Sequence, residues 1–183
     1  MTTDYDKGRA QAMAFKGSVS VQPYDPAKND FQRGWNDGLS APAETMTYKG
    51  LAWTVTVPPG MYFLGDPAYG VPREMWQALI EGAGYFDRQP VGTTEDDHQV
   101  LAFNAPDVPG QFHDGDGTPY LCDSGLLGLV PAALVGTDRE RIAELITLGR
   151  FIEYDREFTC TSDGQCWSFG EVNLVEDPQG SDD

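Results

Sequence analysis

Residues 51–57, Leu-Ala-Trp-Thr-Val-Thr-Val, combine β-branched and aromatic side chains and predict a strand. Pro58-Pro59-Gly60 turns the chain, and residues 61–66 return as a second strand. Pro72 sits near the start of a predicted helix whose buried face is Met75, Trp76, Leu79 and Ile80. Residues 99–104, Gln-Val-Leu-Ala-Phe-Asn, predict a further strand between polar, turn-rich loops at 91–97 and 105–110. Residues 118–131 read as one or two apolar strands broken at Ser124-Gly125. Thr137-x-x-Glu140 has the form of a capping box, opening a helix with Ile142, Leu145 and Ile146 inward and Gly149 as its stop. Four short strands are expected from the runs at 150–155, 158–162, 165–169 and 171–175. Seven or so short strands with two helices make an α+β domain on an antiparallel sheet, either open or curled into a barrel-like form.

The first 41 residues have a different pattern. Residues 4–17 predict a short helix with Ala10, Met13, Ala14 and Phe15 as a weak apolar stripe, ended by Gly17. Pro23-Tyr24-Asp25-Pro26 cannot continue a helix, and residues 28–38 predict a second one with Phe31 and Trp35 four apart. A small helical hairpin held by Phe15, Tyr24, Phe31 and Trp35 follows.

Charge divides the chain at the same place. The formal net charge is -17, yet residues 1–41 hold five basic and five acidic side chains, leaving seven basic and 24 acidic ones in 42–183. With Ala41-Pro42-Ala43 as linker, the expected organisation is a hairpin over 1–41, an acidic α+β domain over 45–175 and an acidic tail over 176–183. No apolar run approaches the roughly 18 residues of a membrane span, and no basic and apolar leader opens the chain, so a cytoplasmic location is expected.

Three cysteines cannot all pair within one chain. Cys160 and Cys166 flank Asp163-Gly164, a hairpin signal that places Ser162 opposite Gln165, Thr161 opposite Cys166 and Cys160 opposite Trp167. That register sets the two thiols on opposite faces, and three reduced thiols are expected.

Asp66, Asp114, Asp116 and Asp123 each lie at a strand end or Gly-rich turn, where oxygen ligands for Mg²⁺, Mn²⁺ or Ca²⁺ are often placed. His113 would add a nitrogen, but the EF-hand pattern is incomplete, and the plainer reading is that Asp and Gly here build turns. No cofactor is required beyond such a divalent cation. Ser124 lies outside a nucleophile elbow with only His98 and His113 as bases, and Asp123 beside Cys122 disfavours a thiolate. No catalytic residue is assigned, and an enzyme is the less expected class.

The order Gly8, Gly17, Pro23-Tyr24, Phe31, Gly34-Trp35 and Gly38 resembles the ribosome modulation factor family over about a fifth of the chain. Its members are small, basic, two-helix proteins that bind the small ribosomal subunit and favour inactive ribosome dimers. The resemblance implies contact with a ribosome or RNA through Tyr24, Phe31, Arg33 and Trp35. This segment is neutral where the family is basic, so the charge that supplies most non-specific RNA affinity is missing. Residues 57–69 with 114–131 also resemble uncharacterised bacterial and phage proteins sharing a Gly-Asp-Pro-x-Tyr corner, which implies fold and source rather than chemistry.

The expectation is a non-catalytic interaction protein of phage or mobile-element origin. Its acidic domain would bind, and in one outcome inhibit, a basic host protein that handles nucleic acid or acts in defence. The alternatives are a divalent-metal-dependent enzyme using Asp66, Asp116 and Asp123, and a ribosome-associated regulator acting through the hairpin.

Overall fold

The computed structural model describes residues 45–49, 52–105 and 110–176, and the expected hairpin with Tyr24, Phe31, Arg33 and Trp35 lies outside them. Among the described residues the elements run β1 (Thr47–Lys49), β2 (Trp53–Val57), β3 (Gly60–Gly65), α1 (Pro67–Gly70), α2 (Arg73–Ala83), β4 (Val91–Thr93), β5 (Gln99–Asn104) and β6 (Gly110–His113). They continue as β7 (Pro119–Cys122), β8 (Leu126–Pro131), α3 (Ala132–Val135), α4 (Arg139–Leu148), β9 (Arg150–Tyr154), β10 (Phe158–Ser162), β11 (Trp167–Phe169) and β12 (Val172–Glu176).

Strands β3, β5 and β8 are apolar at nearly every position, so both of their faces must be covered. Alternation along each strand sorts the side chains into two cores. Met61, Phe63, Val100, Ala102 and Val130 pack with Trp76, Leu79, Ile142 and Leu145 of the helices. Tyr62, Leu64, Leu101, Phe103, Leu127 and Leu129 pack with Val55, Phe112, Tyr120, Cys160, Trp167 and Phe169 of a second sheet. The domain therefore has three layers: helices, a five-stranded sheet in the order β4-β5-β8-β3-β9, and a seven-stranded sheet in the order β1-β2-β10-β11-β12-β6-β7.

All the pairings are antiparallel, and both sheets are open, so the barrel-like alternative does not occur. A middle layer covered by helices on one side and a sheet on the other has no need to close on itself. The helices and the antiparallel sheets bear out the α+β class.

The sheets are joined at corners. β2 pairs with β10 in one sheet while β3 pairs with β9 in the other, so one two-stranded ribbon bends between layers at Pro58-Pro59 and at 155–157. Inside that bend the Tyr62 hydroxyl donates to the Pro58 carbonyl at 3.0 Å. The break at Ser124-Gly125 is a second crossing, from β7 in one sheet to β8 in the other. Gly128 is required where β8 meets β5, because a Cβ there would lie 1.9 Å from the Leu101 carbonyl oxygen. Trp167, buried between the sheets, donates its indole N–H to the Asn104 carbonyl at 3.0 Å and so leaves no orphan donor.

Helix α2 buries Trp76, Leu79 and Ala83, then ends in three successive left-handed residues, Gly84, Tyr85 and Phe86. Left-handed backbone at the two aromatics costs roughly 1–2 kcal/mol each. Burying Phe86 against Trp76, with ring planes 18° apart, offsets most of it.

Three sequence expectations change. Asp138, not Thr137, caps α4, its carboxylate accepting the Arg141 N–H at 2.8 Å, so the box is out of frame by one residue. The β10–β11 loop holds four residues rather than two, with Ser162 opposite Trp167 and Cys160 opposite Phe169. Asp163 widens it by accepting the N–H groups of Gln165 and Cys166 at 2.9 and 2.8 Å. Cys166 therefore falls in the loop rather than on a strand face; Cys160 is buried, Cys166 is exposed, and all three cysteines are free. β4 occupies a stretch expected to be a loop. No helix among the described residues is long and apolar enough to cross a membrane.

Candidate binding site at the seam between the sheets

Four aspartates stood out in the sequence, and they fall into two pairs. The first pair holds the β7–β8 crossing. Asp66 ends β3 and caps α1, and its side chain is fully buried. One oxygen accepts the Ala68 N–H at 2.9 Å and the Ser124 hydroxyl at 2.6 Å, and the other accepts the Asp123 and Ser124 N–H groups at 2.8 and 2.7 Å. Asp123 is exposed and accepts a hydrogen bond from the Tyr69 hydroxyl. Burial, then that bond, pushes the Tyr69 phenol above its ordinary range. Arg141 adds a second tie from α4, donating to the Tyr69 and Gly70 carbonyls at 3.1 and 3.4 Å. The cluster fastens the crossing to the end of β3. Ser124 already spends its hydroxyl proton on Asp66.

The second pair lies on the β6–β7 turn. Asp114 accepts the N–H groups of Asp116 and Thr118 at 2.9 and 3.0 Å and the Tyr120 hydroxyl at 2.8 Å. Arg150, at the start of β9, reaches across to Asp114 at 3.3 Å and Asp116 at 3.5 Å, bridging the two sheets. Burial works to raise the Asp114 pKa, but the three hydrogen bonds and the Arg150 charge outweigh it, and the carboxyl sits below its ordinary value. Burial and the Asp114 bond push Tyr120 up. Asp116 is the loose end of the bridge, its side chain 79% exposed.

Arg150 also lines an open groove. β9 forms one edge of the five-stranded sheet, and the β11–β12 turn at Gly170-Glu171 stands near it. Between them runs a groove of about 390 Å³, with a second depression of about 290 Å³ that shares Asp116, Arg150, Glu171 and Val172. The floor is the margin of the sandwich core, Ile152 and Val172, both half-buried. One wall is a stacked aromatic pair, Tyr154 on Phe158, with centroids 3.5 Å apart and planes within 12°. The Tyr154 hydroxyl fixes that wall by donating to the Phe169 carbonyl at 2.8 Å. Burial raises the Tyr154 pKa, so it remains a donor at neutral pH. Gly170 has a positive φ, and a Cβ there would come within 2.8 Å of the Tyr154 ring, so only glycine leaves the wall in place. Asp116, Glu153, Asp155 and Glu171 stand around the opening, with Arg150 and Arg156 as its basic side chains.

The sequence picked out Asp114 and Asp116 but not the rest of this groove, which three separate turns and an edge strand assemble. Among the described residues no three His, Cys, Asp or Glu side chains are grouped to hold a metal ion. The two buried thiols are placed for packing: burial, then the Asp66 charge, pushes Cys122 up to about 12, and burial raises Cys160 as well. Comparison with protein-family models, with curated proteins and with solved structures finds no match to this chain.

Proposed function

We propose that this chain is a non-catalytic binding protein whose acidic domain takes up a basic segment of a partner protein in the groove beside β9. The observation that carries the reading is the groove itself, an apolar floor whose rim carries the Asp116, Glu153, Asp155 and Glu171 carboxylates against the guanidiniums of Arg150 and Arg156. An apolar floor retains a ligand and a rim with an excess of acid steers it, so the arrangement suits a cationic partner. The excess of acid over base in residues 42–183 extends the same field over the domain and favours fast encounter with a basic surface. Proteins that handle nucleic acid carry such surfaces, and an acidic domain seated on one competes with the phosphate backbone.

The test is a titration of the full chain into a fluorescein-labelled peptide of alternating Arg and Ser, read by fluorescence anisotropy, with the Glu-for-Arg peptide as control. Binding is expected for the basic peptide alone, weakening steeply as salt rises to about 0.3 M. Asp155→Lys with Glu171→Lys, both at exposed positions, should abolish it. Undiminished binding by that double variant would sink the reading.

A further inference from the structure

The wall of the groove bears on which cation it takes. Resting on the binding-module reading, we infer that the groove selects arginine over lysine, seating a guanidinium against the Tyr154–Phe158 stack with its edge toward the carboxylates of Asp155 and Glu171.

Two parallel rings, 12° apart, line the same cavity as the acidic rim. A planar, weakly hydrated guanidinium can lie on such a surface and still bond in its own plane to carboxylates. An ammonium group is compact and strongly hydrated, and it must shed water to approach a ring. Carboxylates beside the groove already hold one guanidinium, that of Arg150, at 3.3 Å from Asp114 and 3.5 Å from Asp116. Charge remains for another: beyond that bridge the groove carries the Asp155 and Glu171 carboxylates against the guanidinium of Arg156. The wall is also held in place, by the Tyr154 hydroxyl bond to the Phe169 carbonyl and by the ring stack itself, so little is lost in ordering it when a ligand arrives.

The experiment repeats the anisotropy titration on the full chain with two peptides that differ only in Arg or Lys at the basic positions. Stacking on a partly desolvated ring should make the Arg peptide bind about tenfold tighter. Tyr154→Leu should close that gap, and Glu171→Gln, at an exposed position that leaves the aromatic wall intact, should weaken the Arg peptide severalfold. Equal binding of the two peptides, with both lost in the Asp155→Lys, Glu171→Lys variant, would overturn arginine selection and leave the binding module standing. Binding of neither peptide would overturn both. An Arg preference that survives in both single variants would place the selective contact outside this wall and also overturn the inference.

Discussion

Removing the Asp66 carboxylate tests whether the β7–β8 crossing depends on it. Asp66 receives four hydrogen bonds from three residues, two of them 57 and 58 positions away in the chain. A hydrogen bond to a charged group contributes about 1.5–3 kcal/mol, and a stranded buried donor costs about 1–3 kcal/mol. Asp123 and Ser124 are themselves exposed, so water partly replaces the lost acceptor at their N–H groups, and the lower end of each range applies. Four donors left without this acceptor, at about 1 kcal/mol each, put the cost of Asp66→Ala at roughly 4 kcal/mol, the lost cap on α1 included. Asp66→Asn retains one oxygen for the Asp123 and Ser124 N–H groups and turns its amide toward the Ser124 hydroxyl, losing chiefly the Ala68 bond; roughly 2 kcal/mol is expected. Ser124→Ala removes one bond, at roughly 1 kcal/mol.

Urea unfolding followed by tryptophan fluorescence reads the series, because Trp76 and Trp167 are both buried and report loss of the two cores. Coupling gives the sharper check. The Asp66→Ala, Ser124→Ala double variant should be no less stable than Asp66→Ala alone, since the shared bond is already gone. Losses of under about 1 kcal/mol in Asp66→Ala, or full additivity in the double variant, would refute the assignment of the crossing to this carboxylate.

Two further outcomes follow from the buried groups. The Asp114 pKa is lowered in the folded state, so its carboxylate contributes stability that is fully present above the unfolded value near pH 4 and is lost as pH falls through the folded value. Asp114→Asn should accordingly lower the neutral-pH urea midpoint and flatten its decline below about pH 4; an unchanged acid limb would count against the Arg150–Asp114 bridge. Of the three thiols only Cys166 is exposed, so a native-state titration with an aromatic disulfide reagent should show one fast group and the other two only in denaturant. Rapid reaction of a second thiol would mean that one of the sheets opens readily.

The strands that the sequence makes plain are those of the middle layer. Residues 61–65, 100–103 and 126–131 are continuous apolar runs, and a strand buried on both faces leaves that mark whatever its partners are. β1, β4 and β6 leave none: they are three or four residues long, and β4 owes its strand geometry to its register with Val100 and Leu101 of β5. The β10–β11 turn was visible as Asp-Gly, yet its length depends on which N–H groups the Asp163 carboxylate accepts, a choice the dipeptide does not encode.

The candidate site divides the same way. Nothing in the sequence marks Arg150, Tyr154 or Glu171, because each is an ordinary residue of its strand or turn and acquires meaning only when β9 stands beside Gly170-Glu171. Asp66 is the opposite case, conspicuous in sequence as the acid of Gly-Asp-Pro, with a meaning that only tertiary structure decides. An aspartate between a strand and a proline offers its oxygens equally to a cation or to backbone N–H groups. Its neighbours in the chain cannot say which, since Asp123 and Ser124 arrive from another layer. An ionised carboxylate has about four lone-pair sites, and four donors already meet Asp66, so a cation could bind there only by displacing the bonds that hold the crossing.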